Sequence, residues 1–265
     1  MTAGRPEDSH LAREVAESFG SDAERYDRAR PSYPEALIDA VLAAAPGTRV
    51  LDIGTGTGIV ARQFLRRGCT VLGIDPDLRM AARATATGVP VEVATIEAWE
   101  PAGRRFDAAV AGMTWHWVEP VTGAVKAREA LVGGGVLAVF WNVAQAPREL
   151  DEGFAEVFGR VIPEFSAYSA GDRAGRGYDA FLDKTAGGLR GAGGFDDPAI
   201  WRFEWDLDYT RDAWLDQLPT SGLFSRIDPP RQQVLLDGIG EVIDRAGGRF
   251  TMHWTTAAIA AHTLA

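Results

Sequence analysis

The spacing of apolar residues changes twice along the chain. From about Ser9 to Ala45 they recur at helical spacing, in HLAREVAESF and PEALIDAVLAAA. Between these lies YDRARPSYP, whose two prolines and two tyrosines mark an ordered connection rather than a helix interior. From Arg49 to Asn142 short β-branched runs take over: RVLDIG, CTVLGID, VPVEVAT, FDAAVAG and GGVLAVFWN. Amphipathic segments such as IVARQFLRRG and LRMAARATATG fall between them. Strands alternating with helices predict an α/β fold with a parallel sheet covered on both faces.

After Asn142 the alternation stops. RELDEGFAEVFGRVIPEF predicts a helix. The glycine-rich stretch that follows is poorly periodic at its ends, and mobility is expected from Ala170 to Gly194. AIWRFEWDLDYT then alternates as a strand, with Trp201 and Trp205 read as core. PPRQQVLLDGIGEVIDRAGG is a helix with a proline start and a glycine stop, and RFTMHWTTAAIAAHT is a last strand. One domain is expected: a helical lid segment over 1–46, a core over 47–145, a cap insertion over 146–198, and 199–265 completing the same domain.

Bulk properties narrow the function. The chain has 265 residues, 46% hydrophobic and 24% charged, an ordinary globular composition. Its net charge is −10, and no Lys/Arg cluster offers a track for phosphate backbones, so nucleic acid is disfavoured as a partner. No apolar run approaches a membrane span and the first residues lack a signal-peptide core, so no membrane partner is expected. The single cysteine, Cys69, opens an apolar run and reads as a small buried residue. One cysteine suits a reducing cytoplasm, which is the expected location. No metal is expected.

The chemistry concentrates in LDIGTGTGIV, Leu51 to Val60, where a buried strand breaks into three glycines and opens a helix. A phosphate-binding P-loop needs Lys and then Ser or Thr after the glycines, and neither is there. A dinucleotide fingerprint fits Gly54 and Gly56, but Ile59 holds the third place and Gly58 comes early. Asp52, two residues before Gly54, can fix the turn and meet a ligand's ammonium group. Asp75 closes the second strand, where a carboxylate can accept ribose hydroxyls of NAD or of S-adenosylmethionine (SAM) alike.

Taken in order, RVLDIGTGTGIVARQF, VLGIDPDLRMAARA, VEVATIEAWEP, RRFDAAVAGMTWHWVEP and EALVGGGVLAVFWN resemble a class I SAM-dependent methyltransferase. The likeness is to the small-molecule branch that includes trans-aconitate methyltransferases. It implies a Rossmann-like, seven-stranded, mostly parallel sheet with helices on both faces, an N-terminal helical lid and an insertion after the fifth strand. It also implies SAM as methyl donor and S-adenosylhomocysteine as product. Gly54, Thr55 and Gly56 would approach the methionine part, Asp75 with Pro76 the ribose, and Ile96 with Glu97 the adenine. Ala111 and Gly112 would offer carbonyls to the ammonium. Thr95 stands where the family often has an Asp reaching the adenine amino group.

The acceptor side is less marked. His116, in MTWHW, has the ordinary pKa of a general base, while Trp115 beside it suits the pocket wall. Trp141 and Asn142 end the fifth strand on opposite faces, so one of them should point inward. Tyr26, Arg30 and Tyr33 in the lid could meet the sulfonium, a SAM carboxylate or the acceptor. Thr220 is a further pocket candidate beside Ser221, with Gly222 where related chains carry an aromatic. His253 reads as structural. The expected function is methyl transfer to a small molecule, with carboxyl O-methylation favoured by the resemblance and oligomeric state open. Rival readings are a SAM-fold enzyme of non-methylating chemistry, a SAM-binding regulatory protein, and a nicotinamide dehydrogenase.

Overall fold

A computed structural model describes residues 19–164 and 176–264. The part of the expected first helix before Phe19 lies outside them. Seven strands form one sheet: β1 (Arg49–Ile53), β2 (Thr70–Ile74), β3 (Val91–Glu92), β4 (Phe106–Gly112), β5 (Leu131–Gln145), β6 (Ala199–Thr210) and β7 (Arg249–His262). Their spatial order is β3-β2-β1-β4-β5-β7-β6. The five strands of the β3-to-β5 half run parallel, and β7 is antiparallel to both β5 and β6. The Rossmann-like, mostly parallel sheet is therefore present. Its order reverses between β1 and β4, and ligands of such sheets bind in the crevice outside the carboxyl ends at that reversal.

Two elements differ in length from the sequence pattern. VPVEVAT forms only the two-residue β3, because the chain leaves this sheet edge after Glu92. The Glu92 carboxylate is taken there by Trp99 Nε1 and by Arg104. Conversely, β5 runs past Asn142 to Gln145 because β7 pairs with it as far as His253.

The helices are α1 (Ala23–Ala29), α2 (Glu35–Ala44), α3 (Ile59–Arg66), α4 (Leu78–Ala86), α5 (Pro120–Ala130), α6 (Arg148–Val161), α7 (Arg176–Ala192), α8 (Arg211–Gln217) and α9 (Pro229–Arg245). One sheet face is covered by α2, α3 and α4 through Leu37, Ile38, Val41, Phe64 and Ala84. The other is covered by α5 and α7 through Ala124, Ala127, Leu182 and Leu189. Burying a side chain such as Leu182 contributes about 1.5–3 kcal/mol. The expected mobile stretch thus contains a packed helix, α7. Its apolar stripe was obscured by the small residues that let it sit close: a Cβ on Gly188 would lie 2.6 Å from the Pro120 carbonyl oxygen.

A third core stands beyond the carboxyl edge of the sheet. It joins α6, α8, α9 and the outer ends of β6 and β7 through Phe154, Tyr209, Trp214, Phe224, Ile239, Phe250 and Trp254. The segment 146–198 therefore divides. Its first helix, α6, belongs to this outer core, and its second, α7, lies on the sheet. Much of this outer core comes from residues after 204.

Candidate functional site

The glycine turn is held from below. Thr55 N–H donates to the Ile74 carbonyl at 3.0 Å, and Gly58 N–H closes the turn on the Thr55 carbonyl at 2.8 Å. Gly54, Gly56 and Gly58 all have positive φ, at 65, 57 and 86°, which any other residue adopts only with strain. Their surroundings differ. A Cβ on Gly54 would lie 2.2 Å from Thr114 Oγ1, whereas one on Gly56 would meet nothing within 4 Å. Gly56 faces open space, and that space is the candidate ligand's.

Two buried carboxylates sit beneath this turn. Asp52 accepts a hydrogen bond from Thr55 Oγ1 at 2.7 Å. Burial, with Asp75 nearby, nevertheless pushes its pKa up to about 7. Asp75 accepts from Gly56 N–H at 2.8 Å through Oδ2 and from Asp77 N–H at 2.9 Å through Oδ1. Burial raises its pKa to about 6 in spite of both amides. Two carboxyls that resist ionisation beside an open glycine suit a cationic ligand, which would stabilise their charged forms.

The cleft above them holds about 580 Å³ of empty space, counting the part open to solvent. Its walls include Tyr26, Arg30, Tyr33, Asp52, Gly54, Thr55, Gly56, Gly112, Met113, Asn142 and Trp254. Of the expected residues, the structure brings these together except Met113 and Trp254, which the sequence did not single out. Met113 has φ +55, and its Sδ takes the Asn142 amide at 3.2 Å. Gly112 is needed for the Tyr33 ring: a Cβ there would lie 2.7 Å from the hydroxyl. Tyr33 packs edge-on to Phe140 with ring centroids 4.9 Å apart.

Arg30 donates from Nη2 to the Thr220 carbonyl at 2.7 Å and lies 5.0 Å from the Tyr26 ring centroid. Thr220 itself is buried, with Oγ1 on the Gln217 carbonyl at 2.6 Å, and it stands behind Arg30 rather than on the cleft wall. Helix α1 is anchored by Asp27, whose side chain is 8% exposed and pairs with Arg62 of α3 and Arg83 of α4 at 2.5 and 3.0 Å. Arg25 and Arg28 tie the same helix to Asp216 of α8.

Other expected residues lie elsewhere. Of the pair ending β5, Asn142 faces the cleft and Trp141 faces the opposite core. Trp141 Nε1 donates to His116 Nδ1 at 3.2 Å, and Phe181 of α7 stacks on both rings at 5.1 and 5.8 Å. Trp115 is buried in this same core. Burial, with Lys184 nearby, lowers the His116 pKa to about 4, so the ring is neutral at pH 7 but a weak base. Neither His116, Trp115 nor Trp141 is on the cleft wall.

On the adenine side, Ile96 is buried beside Trp99 and Trp115, Ala111 is buried in β4, and Pro76 is exposed after β2. The Glu97 carboxylate accepts from the Glu119 amide at 3.0 Å. His253 stands exposed between Glu204 and Asp206, and its pKa is raised by the Asp206 hydrogen bond first.

Comparison with known proteins bears on the family and the fold. Residues 26–169 match the family described as "Methyltransferase domain". An uncharacterized methyltransferase of Mycobacterium tuberculosis is 34% identical over 152 residues, 57% of this chain and 60% of its own length. A malonyl-[acyl-carrier protein] O-methyltransferase of Enterobacter lignolyticus is 29% identical over 54% of this chain and 59% of its own. The matched region thus spans about 60% of these relatives. The fold is shared with a candidate type II methyltransferase from Anaeromyxobacter dehalogenans, at TM-score 0.64 and 20% identity over 89% of this chain and 98% of that one. The chain belongs to the methyltransferase-domain family, in its class I SAM-dependent form. Open space over Gly56 and two reluctantly ionised carboxyls fit that family's sulfonium donor.

Proposed function

We propose that the protein transfers the methyl group of SAM to an oxygen of a small acid. Bound SAM supplies an electrophilic methyl on a positively charged sulfur. The chain's own work is to hold, orient and shield. The Gly54–Gly56 backbone forms the floor under the donor, and Asp52 receives its ammonium charge. Asp75, already fixed by two amides, keeps lone pairs for the ribose. Tyr33, Met113 and Asn142 border the acceptor's approach, and α1 covers it against water. Alignment of this kind supplies effective molarities of about 10⁵–10⁸ M.

The observation that carries the acid assignment is the set of titratable groups on the cleft wall: Tyr26, Arg30, Tyr33 and Asp52. Arg30 is a cation. Burial drives the Tyr33 hydroxyl well above its ordinary pKa, and Asp52 sits under the donor turn. Among the described residues of this wall, Asp52 is taken in this reading by the donor's ammonium and no other group is placed to take a proton from a neutral acceptor, so an acceptor that arrives as a carboxylate suits the site. Further support comes from the relatives named for O-methylation and from the resemblance to trans-aconitate methyltransferases. His116 then holds Trp141 and α7 in place instead of moving a proton. The test is incubation of the chain with SAM and panels of small carboxylic acids, phenols and amines, read by mass spectrometry. Base-labile methyl esters are expected; methylation confined to amines or phenols would overturn the acid assignment.

A further inference from the structure

Three residues on adjacent strands form one hydrogen-bonded line that ends at the cleft. Asn142 of β5 stands directly opposite Thr256 of β7, which in turn stands opposite Phe203 of β6. Trp205, two residues beyond Phe203, shares the face of Thr256 and reaches it diagonally. Its indole Nε1 donates to Thr256 Oγ1 at 2.9 Å, and Thr256 Oγ1 donates to Asn142 Oδ1 at 2.7 Å. The Asn142 Nδ2 group, on the other arm of the carboxamide, lies 3.4 Å from the Ser32 carbonyl oxygen. Asn142 lines the cleft, whereas Thr256 is fully buried and neither it nor Trp205 is on the cleft wall.

The chemistry of this line allows one orientation of the amide. An indole N–H can only donate, so the Thr256 oxygen accepts from Trp205 and keeps its single proton for Asn142. The atom of Asn142 that meets that proton must be the acceptor, Oδ1. A carboxamide turned over would fail twice. The proton of a fully buried hydroxyl would lose its acceptor, and Oδ1 would face the Ser32 carbonyl oxygen. The two arms of an amide are nearly equal in shape, so its direction is set by these partners and not by packing. Of the two Nδ2 protons, one reaches Ser32 over a long bond, and the other has no partner among the described residues.

We propose that Asn142 holds the reacting carboxylate of the acceptor through Nδ2, and that Thr256 and Trp205 are positioning residues that keep this nitrogen turned to the cleft. This role rests on the reading of the protein as a methyltransferase of small acids. One free N–H engages one carboxylate oxygen and leaves the second with its lone pairs for the methyl group. A guanidinium fork would take both oxygens and blunt the nucleophile. As the oxygen–carbon bond forms, the carbon–sulfur bond breaks, its electron pair stays on sulfur, and no proton moves. The same N–H disfavours ammonium groups, which bring only donors. Acceptors are thus sorted at Asn142 by whether they offer an oxygen.

Acetate is the probe, with methylammonium as its donor-only counterpart. The full chain, labelled with ¹⁵N and saturated with S-adenosylhomocysteine, is titrated with each while the Asn142 side-chain NH₂ resonances are followed. Their assignment comes from the pair lost in Asn142→Asp. Acetate, and not methylammonium, is expected to move the pair. Thr256→Val removes the hydroxyl at nearly constant shape and is expected to weaken acetate binding about fivefold, the worth of one hydrogen bond, while Thr256→Ser restores it. Affinity for S-adenosylhomocysteine is expected to stay the same in both variants. The two probes are compared on the native chain, so that comparison decides even where Thr256→Val fails to fold. A response to methylammonium as large as that to acetate, or no response to either, overturns the proposal. Acetate binding equal in folded Thr256→Val and the native chain overturns the positioning role. A matching loss of S-adenosylhomocysteine affinity also overturns it, by assigning Asn142 to the donor. None of these readings requires turnover, so failure of the acid-methylation reading shows separately, in the product assay.

Discussion

The Gly56 amide donates to Asp75 Oδ2 across 2.8 Å, tying the glycine turn to the end of the second strand without any ligand. The candidate donor site is thus largely preformed. The carboxyls that shape it are Asp75 and Asp52, with pKa values raised to about 6 and about 7, chiefly by burial.

Donor binding is therefore expected to depend on pH and to release protons. A cationic ligand favours the ionised carboxyls, so affinity for SAM rises through pH 6–7 and levels off above. The expected change is about tenfold between pH 6 and pH 8, because one pKa unit corresponds to 1.36 kcal/mol. Calorimetry at pH 6.5 in buffers of different ionisation enthalpy would record the proton release. Asp52→Asn should abolish much of the pH dependence and weaken binding.

The same raised pKa has a stability consequence without ligand. Folded Asp52 holds its proton up to about pH 7, whereas the unfolded chain loses it near pH 4. Its contribution is full below the unfolded pKa and is lost as pH rises through 7. Asp52→Asn is accordingly expected to melt higher than the native chain at pH 8 and to differ little at pH 5, by thermal denaturation of the ligand-free proteins.

Gly54 and Gly56 should respond differently to alanine. Gly54→Ala pays for a left-handed backbone and a 2.2 Å approach to Thr114 Oγ1, and should destabilise by about 2–4 kcal/mol. Gly56→Ala meets open space, so its stability cost is limited to about 1–2 kcal/mol of backbone strain. Its Cβ enters the space assigned to the donor by the proposal, and SAM affinity should fall about tenfold or more. Denaturant melts and calorimetry on both variants check the contrast.

His116→Ala removes the acceptor of the Trp141 indole and a ring stacked on Phe181. A stability loss of about 1–3 kcal/mol is expected, with turnover per folded molecule nearly unchanged. A general base contributes about 10²–10⁴-fold, so a loss of that size with unaltered SAM affinity would return His116 to the mechanism. Because its pKa is lowered to about 4, His116 stabilises the fold above its unfolded value near 6.5, and that contribution is lost as pH falls toward 4.

The sheet was legible because its signals are local. The runs of β1, β2, β4 and β5 bury on both faces, and the glycine turn names its own conformation. Asp52, Gly54, Gly56 and Asp75 could be read from spacing along one strand–turn–helix–strand unit. The outer core was not legible in that way. Tyr209, Gln217 and Trp254 converge only because β6 and β7 extend beyond the sheet edge and α8 folds back on them. Trp141 shows the same limit from the other side: alternation along β5 requires it and Asn142 to face opposite ways, but which faces the cleft depends on the helix packed behind. For Trp254, the available signal was its alternation with His253, since an exposed histidine on one face leaves the tryptophan on the other.

Whether the cleft over Gly56 is a SAM site is decided by calorimetric titration of the full chain with S-adenosylhomocysteine and, in parallel, with NAD. Micromolar binding of S-adenosylhomocysteine, weakened in Gly56→Ala, with no heat from NAD, is the predicted result. Binding of NAD in its place, or S-adenosylhomocysteine binding indifferent to Gly56→Ala, would mean that SAM does not bind over Gly56.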